Sequence, residues 1–112
     1  MSTLAHLFAP LRLRDVELPN RIMSTGHQTY LARGGLPTPD FVAYHEARAR
    51  GGAGLIVTEA ARFHASTLTE TPEIVILGDE AIPAFRKVVD AVHAHGTRIF
   101  GQLSHSGRLS RR

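Results

Sequence analysis

The chain has 112 residues, 43% of them hydrophobic, with no cysteine and a formal net charge of +3 from 13 Lys and Arg against 10 Asp and Glu. That length admits one small domain, the hydrophobic share excludes a disordered chain, and the lack of cysteine excludes disulfides, thiolate zinc sites and iron–sulfur ligation within these residues. The charge excess is small and partly terminal, in Arg108, Arg111 and Arg112, and the other arginines are scattered among acids, so it reads as a solvated basic tail and not a nucleic-acid-binding stripe. The run from Met1 to His6 has no basic start followed by an apolar stretch, and no apolar segment approaches ~20 residues. No secretory signal or membrane span is therefore expected, and such a chain fits the cytoplasm.

From Leu7 to Leu18 apolar Leu11, Leu13, Val16 and Leu18 alternate with Arg12, Arg14, Asp15 and Glu17. This period of two on both sides of Arg14-Asp15, bounded by Pro10 and Pro19, predicts a hairpin. A first strand follows over Ile22 to Thr25 and gives way to Gly26-His27-Gln28-Thr29-Tyr30. Gly34-Gly35 and Pro37 mark a loop. Thr38-Pro39-Asp40 predicts a helix start, with Thr38 capping, Pro39 in the first helical position and Asp40 at the positive end of the dipole. That helix runs to about Arg50, carries Glu46 and Arg50 as a pair one turn apart, and stops at Gly51-Gly52.

Ala53 to Thr58 is continuously apolar, the pattern of a parallel strand covered on both faces, and its polar end is Glu59 to His64. The connection from Ala65 to Gly78 is long and anchored by Ile74 to Leu77, and a loop of that length beside a strand end is often functional. Asp79 is placed to cap a second helix, with Glu80 and Pro83 in its first turn and a stripe of Ile82, Phe85, Val88, Val89 and Val92. Gly96 ends it. Arg98 to Leu103 is then read as a short buried strand whose polar end is Gln102, Ser104 and His105. The order of hairpin, strand, helix, strand, helix, strand implies βαβ units and a parallel sheet with three polar strand ends on one side, where α/β folds present ligand sites.

Thr25-Gly26-His27-Gln28 matches neither a dinucleotide-binding loop nor a P-loop. His45, His93 and His95 fall on or at the ends of helices and read as surface or packing residues. His27, His64 and His105 each follow a strand, so a three-histidine zinc site is conceivable, but nothing fixes their spacing and barrel metal sites draw on more strands than these, so no metal is expected. Glu59 is either a catalytic carboxylate or a structural one bonded to loop backbone. The Gln102 amide both donates and accepts, which suits the edge of a heterocycle, or equally a tie between two strand ends.

Four runs then stand in order: Leu7-Phe8-Ala9-Pro10-Leu11, Pro19-Asn20-Arg21-Ile22, Arg48-Ala49-Arg50-Gly51-Gly52-Ala53-Gly54-Leu55-Ile56-Val57-Thr58-Glu59, and Gln102-Leu103-Ser104-His105-Ser106-Gly107-Arg108. Together they resemble the start of the old yellow enzyme family of FMN-dependent NADH:flavin oxidoreductases, nearest the branch of 2,4-dienoyl-CoA reductase and trimethylamine dehydrogenase. The resemblance implies that residues 1–112 are the N-terminal portion of a TIM (β/α)8 barrel, incomplete as given, with the hairpin at its bottom. It implies FMN across the strand ends, with Gln102 bonding the flavin pyrimidine, the Ala60 backbone N–H at the same ring edge, and Thr25, Gly26, His27 and Gln28 beside the isoalloxazine. Tyr30 falls at the family's substrate-pocket aromatic. Donors at that edge suit a flavin that gains negative charge on reduction. Where many members carry proline followed closely by threonine or cysteine, this chain has Gly26-His27-Gln28-Thr29.

The implied activity is hydride transfer from NADH or NADPH through flavin to an activated alkene such as an enone or dienoyl thioester, or amine oxidation. Its catalytic residues belong to later strands, and any iron–sulfur cluster to a C-terminal region outside these residues. The implied partners are a small-molecule substrate, with no nucleic acid or membrane, and a homo-oligomer is compatible with full length. The alternative is a truncated, non-catalytic barrel fragment that needs a partner piece, since such a barrel takes about 250 residues.

Overall fold

The computed structural model describes residues 3–110, so Arg111 and Arg112 of the basic tail and Met1 and Ser2 of the leading run lie outside the described residues. A single helical turn, α1 (Ala5–Phe8), precedes the antiparallel hairpin of β1 (Leu11–Leu13) and β2 (Val16–Leu18), so Leu7 is helical where period-two alternation was expected. Arg14 at the tip has φ 50°, the left-handed conformation that a tight hairpin turn demands. Arg98 Nε donates to the Glu17 carbonyl at 3.1 Å, which fixes the hairpin against the start of the last strand.

β3 (Met23–Ser24) is shorter than the sequence suggests, and it enters the sheet through Asn20. Asn20 Oδ1 accepts from the Ile22 N–H at 3.0 Å and its amide donates to the Gly52 carbonyl at 2.8 Å. A Cβ on Gly54 would stand 2.5 Å from Asn20 Oδ1, so the glycine allows this contact. α2 (Pro39–Arg50) starts as expected, with Thr38 Oγ1 accepting from the Phe41 N–H at 3.2 Å, and ends at Gly51, followed by Gly52 at φ 102°. Glu46 does not pair with Arg50; it reaches His95 across the helix pair at 3.3 Å.

β4 (Leu55–Arg62) is the hub of the sheet and outruns the predicted strand by carrying Glu59 to Arg62 within it. β6 (Arg98–Ser104) runs parallel along one edge of β4, from Leu55↔Arg98 to Arg62↔Ser104, with a register shift between Val57 and Ala60. β3 and β5 (Ile74–Val75) both pair parallel with β4, at Leu55 and Ile56 and at Ala61 and Arg62. Since β6 holds one edge, these two share the other. The apolar anchor of the long loop is thus a strand, and Ile74 is fully buried.

α3 (Ala81–His93) has no side-chain cap: Asp79 contributes only its carbonyl, to the Ile82 N–H. Its buried residues are Ala81, Val88 and Val92, whereas Ile82 points to solvent. The stripe is correct in its centre and wrong at Ile82, which turns outward while Ala81 beside it is buried. Phe41 and Ala49 of α2 and Val88 and Val92 of α3 close over Ile56 and Ala61 of β4, in two adjoining clusters. Each large side chain so buried contributes about 1.5–3 kcal/mol.

The strand read as buried is not. Phe100 is 38% and Leu103 68% exposed, because β6 has a strand neighbour on one edge only among the described residues. The parallel sheet is therefore an open α/β layer and not a closed barrel. No helix among the described residues is long and apolar enough to cross a membrane.

Candidate functional site

The C-terminal ends of β3, β4 and β6 bring together most of the expected residues. Gly26 stands against β4 and Gln102: a Cβ there would lie 2.5 Å from the Thr58 carbonyl oxygen and 2.7 Å from Gln102 Oε1. Only glycine fits without displacing the amide. Ala60 and Gln102 are register partners, and the Gln102 N–H donates to Thr58 Oγ1 at 3.2 Å, which fills the place of a ladder bond at the register shift. The side-chain amide of Gln102 is exposed and has no hydrogen-bond partner among the described residues. Thr25, which precedes Gly26, is exposed.

Gln28 and Thr29 turn inward. Glu59 is 1% exposed, and its Oε2 accepts from Gln28 Nε2 at 2.5 Å while Oε1 accepts from the Thr29 N–H at 3.3 Å and from the Thr29 hydroxyl. A buried carboxylate needs such donors. Glu59 thus has partners that suit the structural reading, two side-chain donors and one loop N–H, and it ties the loop after β3 to β4. Tyr30 follows with φ 59° and is half exposed, its carbonyl accepting from Arg33 Nη1 at 3.2 Å. A left-handed tyrosine costs on the order of 1 kcal/mol, and the Glu59 anchor just before it holds that geometry.

His27 leaves the group of strand-end histidines. Its Nε2 is hydrogen-bonded to the Tyr44 hydroxyl on α2, and its Nδ1 lies 3.3 Å from the Thr25 carbonyl oxygen. His64 and His105 do meet, with ring centroids 5.7 Å apart and Ser66 Oγ between His64 Nδ1 at 2.8 Å and His105 Nε2 at 3.3 Å. Among the described residues no group of three His, Cys, Asp or Glu is arranged to hold a metal. His45 is buried as a packing residue between Phe41 and Tyr44, with both ring nitrogens unpartnered. Burial first, then the Arg48 charge and the neighbouring His27, lower its pKa from 6.5 to about 4.

A polar junction at the far ends of β4 and β6 was not foreseen. Arg62 pairs with Glu73 at 3.1 Å and donates to Ser104 Oγ at 3.2 Å and Ser106 Oγ at 3.1 Å. Burial acts to raise the Glu73 pKa, but hydrogen bonds from Arg62 and Thr69, with the Arg62 charge and Thr71, carry it below the usual carboxylate value. The only sequence signal was an arginine at the end of an apolar strand, and its partner is eleven residues away in a loop. A cleft of about 570 Å3 lined by Ser66 to Thr71, Ser106, Leu109 and Ser110 opens beside this junction, off the Gly26, Ala60 and Gln102 cluster.

The cluster itself fits a heterocycle edge. Gln102 offers a free donor and acceptor at an exposed parallel-sheet end, and Gly26 leaves its amide room. The chain matches the family described as NADH:flavin oxidoreductase / NADH oxidase over residues 6–112. It is 34% identical over 111 residues to N,N-dimethylglycine/sarcosine dehydrogenase of Chromohalobacter salexigens, covering 94% of this chain and 16% of that protein. It is 34% identical over 107 residues to NADPH dehydrogenase of Listeria monocytogenes serotype 4b, covering 94% of this chain and 32% of that protein. Its structure resembles old yellow enzyme from Trypanosoma cruzi with a TM-score of 0.84 and 36% identity, over 96% of this chain and 28% of that one. The chain therefore spans a third or less of the length of these relatives, and its open sheet corresponds to the N-terminal part of old yellow enzyme barrels.

Proposed function

We propose that this chain, which belongs to the NADH:flavin oxidoreductase / NADH oxidase family, forms residues 1–112 of an FMN-binding barrel domain and supplies the part of the cofactor site built on the first strand ends. The observation that carries this reading is the free Gln102 amide beside Ala60, at the open end of a parallel sheet. When bound, FMN supplies a two-electron carrier that accepts hydride and passes it on. Gln102 would bond its pyrimidine edge through both amide atoms, with the Ala60 backbone N–H at the same edge. Thr25, Gly26, His27 and Gln28 would flank the ring, with the Gln28 amide nitrogen already engaged by Glu59. Tyr30, exposed on the following loop, would border the substrate.

In the whole protein the reductant is NADH or NADPH and the substrate a small molecule, either an activated alkene or an amine. The amine reading draws support from the dimethylglycine/sarcosine dehydrogenase relative, and the nicotinamide reading from the NADPH dehydrogenase. The proton donor and substrate-fixing groups of that reaction would come from outside these residues. Purification of the chain with added FMN tests the cofactor reading. A yellow protein with a shifted flavin absorbance is the expected result, and colourless protein after gel filtration contradicts it.

One observation favours a second reading for the chain by itself. The exposed edge and side chains of β6, Phe100 and Leu103 among them, suit a non-catalytic fragment that pairs with a further barrel piece. Concentration-dependent association in analytical ultracentrifugation supports it, and a stable monomer argues against it.

A further inference from the structure

We propose that Tyr44 is a positioning residue that locks His27, at the first strand end of the candidate cofactor site, as the neutral Nδ1–H tautomer with both ring nitrogens engaged. The place beside a cofactor rests on the preceding reading; the tautomer does not.

His27 Nδ1 faces the Thr25 carbonyl oxygen at 3.3 Å, and a carbonyl only accepts, so the proton sits on Nδ1. The neutral ring then has one lone pair, on Nε2, and the Tyr44 hydroxyl is bonded to it as donor. Tyr44 is itself held from several sides. The Arg48 guanidinium carbon lies 3.4 Å from the centroid of its ring, and Arg48 Nη1 donates to its carbonyl at 2.9 Å. A cation over a phenol ring draws electron density from it and makes the hydroxyl a better donor. His45, buried and edge-on at 5.1 Å and 89°, packs against the same ring. His27 meets Tyr44 edge-on as well, at 5.5 Å and 68°, so the imidazole has one favoured orientation.

The functional consequence is specific. His27 follows Gly26, which lies against Gln102, yet the neutral ring so bonded has neither a free N–H nor a free lone pair to offer the strand-end site. In that tautomer it is not the proton donor of that site. Protons for chemistry there come from another group.

The test is a two-bond nitrogen–proton correlation spectrum of the histidine rings in the 15N-labelled chain in mildly alkaline buffer, with His27 assigned by its loss in His27→Gln. The expected result is the Nδ1–H pattern for His27. In Tyr44→Phe that pattern is lost in favour of Nε2–H, the form free imidazole prefers in water, while the backbone amide spectrum stays that of the folded chain. An Nε2–H or averaged pattern in the wild-type chain overturns the proposal without recourse to any variant. An unchanged ring in folded Tyr44→Phe overturns it too. FMN added to the labelled chain separates the two readings: ring carbon-bound proton signals that move with Nδ1–H retained support both. Signals that stay put with the tautomer intact overturn the placement beside FMN and leave the tautomer assigned.

Discussion

Strands β4 and β6 lie in parallel register from Leu55↔Arg98 to Arg62↔Ser104, and each carries a polar group that reads as site chemistry, Glu59 on one and Gln102 on the other. Their surroundings differ. β4 is buried along most of its length and has neighbours on both edges, and both Glu59 carboxylate oxygens are hydrogen-bonded by Gln28 and Thr29. β6 is mostly exposed, and the Gln102 side-chain amide has no partner among the described residues. A polar group that the fold has satisfied belongs to the structure; one that it has left unsatisfied at an accessible strand end is available to a ligand. By that criterion the carboxylate holds the loop, and the amide is the group proposed to meet a cofactor.

The contrast is sharpest in the packing. Ile56→Ala on β4 removes a fully buried side chain and is expected to cost about 4 kcal/mol, whereas Leu103→Ala on β6, at 68% exposure, costs less than about 0.5 kcal/mol. Urea denaturation of both variants measures this, and similar losses would break the distinction. The polar pair follows the same order. Glu59→Ala strands the Gln28 amide and two Thr29 donors in a half-buried position and is expected to cost about 2 kcal/mol, while Gln102→Ala leaves the unfolding midpoint nearly unchanged.

The covered side of β4 also carries a pH dependence. His45 has its folded pKa lowered from 6.5 to about 4, so the unfolded chain binds the extra proton between those values. The associated stability is complete above 6.5 and is lost as pH falls toward 4, on the order of 2 kcal/mol after solvent screening. His45→Leu should flatten that slope in thermal melts taken across the range. Smallest is the tie between the strands. Glu73 titrates below its ordinary 4.5, so the Arg62 junction is complete above that value and weakens as pH falls through the lower one. Glu73→Gln should remove this acid-side loss, which is below about 1 kcal/mol.

Much of this was legible in the residues where the physics is local. Thr38-Pro39-Asp40 and Gly51-Gly52 bracket α2 because caps and glycine stops depend on their own backbone. The alternation around Arg14-Asp15 yields the hairpin for the same reason. Gly26, Ala60 and Gln102 were brought together through the resemblance, and the structure puts them at adjoining strand ends. Burial was not legible, because it depends on what lies alongside. Phe100 and Leu103 look like core residues and Glu59 like a strand end until neighbours reverse both. The Tyr44 to His27 bond and the Arg62 to Glu73 pair join residues 17 and 11 positions apart with no spacing rule to mark them.

The most direct test of the central claim is FMN titration of the purified chain against Gln102→Ala, followed by quenching of flavin fluorescence. Loss of one free amide's bonds predicts that the variant binds about tenfold more weakly, or about 1.4 kcal/mol, with an unchanged unfolding midpoint. Equal affinity in the two proteins, or no quenching by either, would contradict the assignment of Gln102 as the group that this sheet holds out for a cofactor.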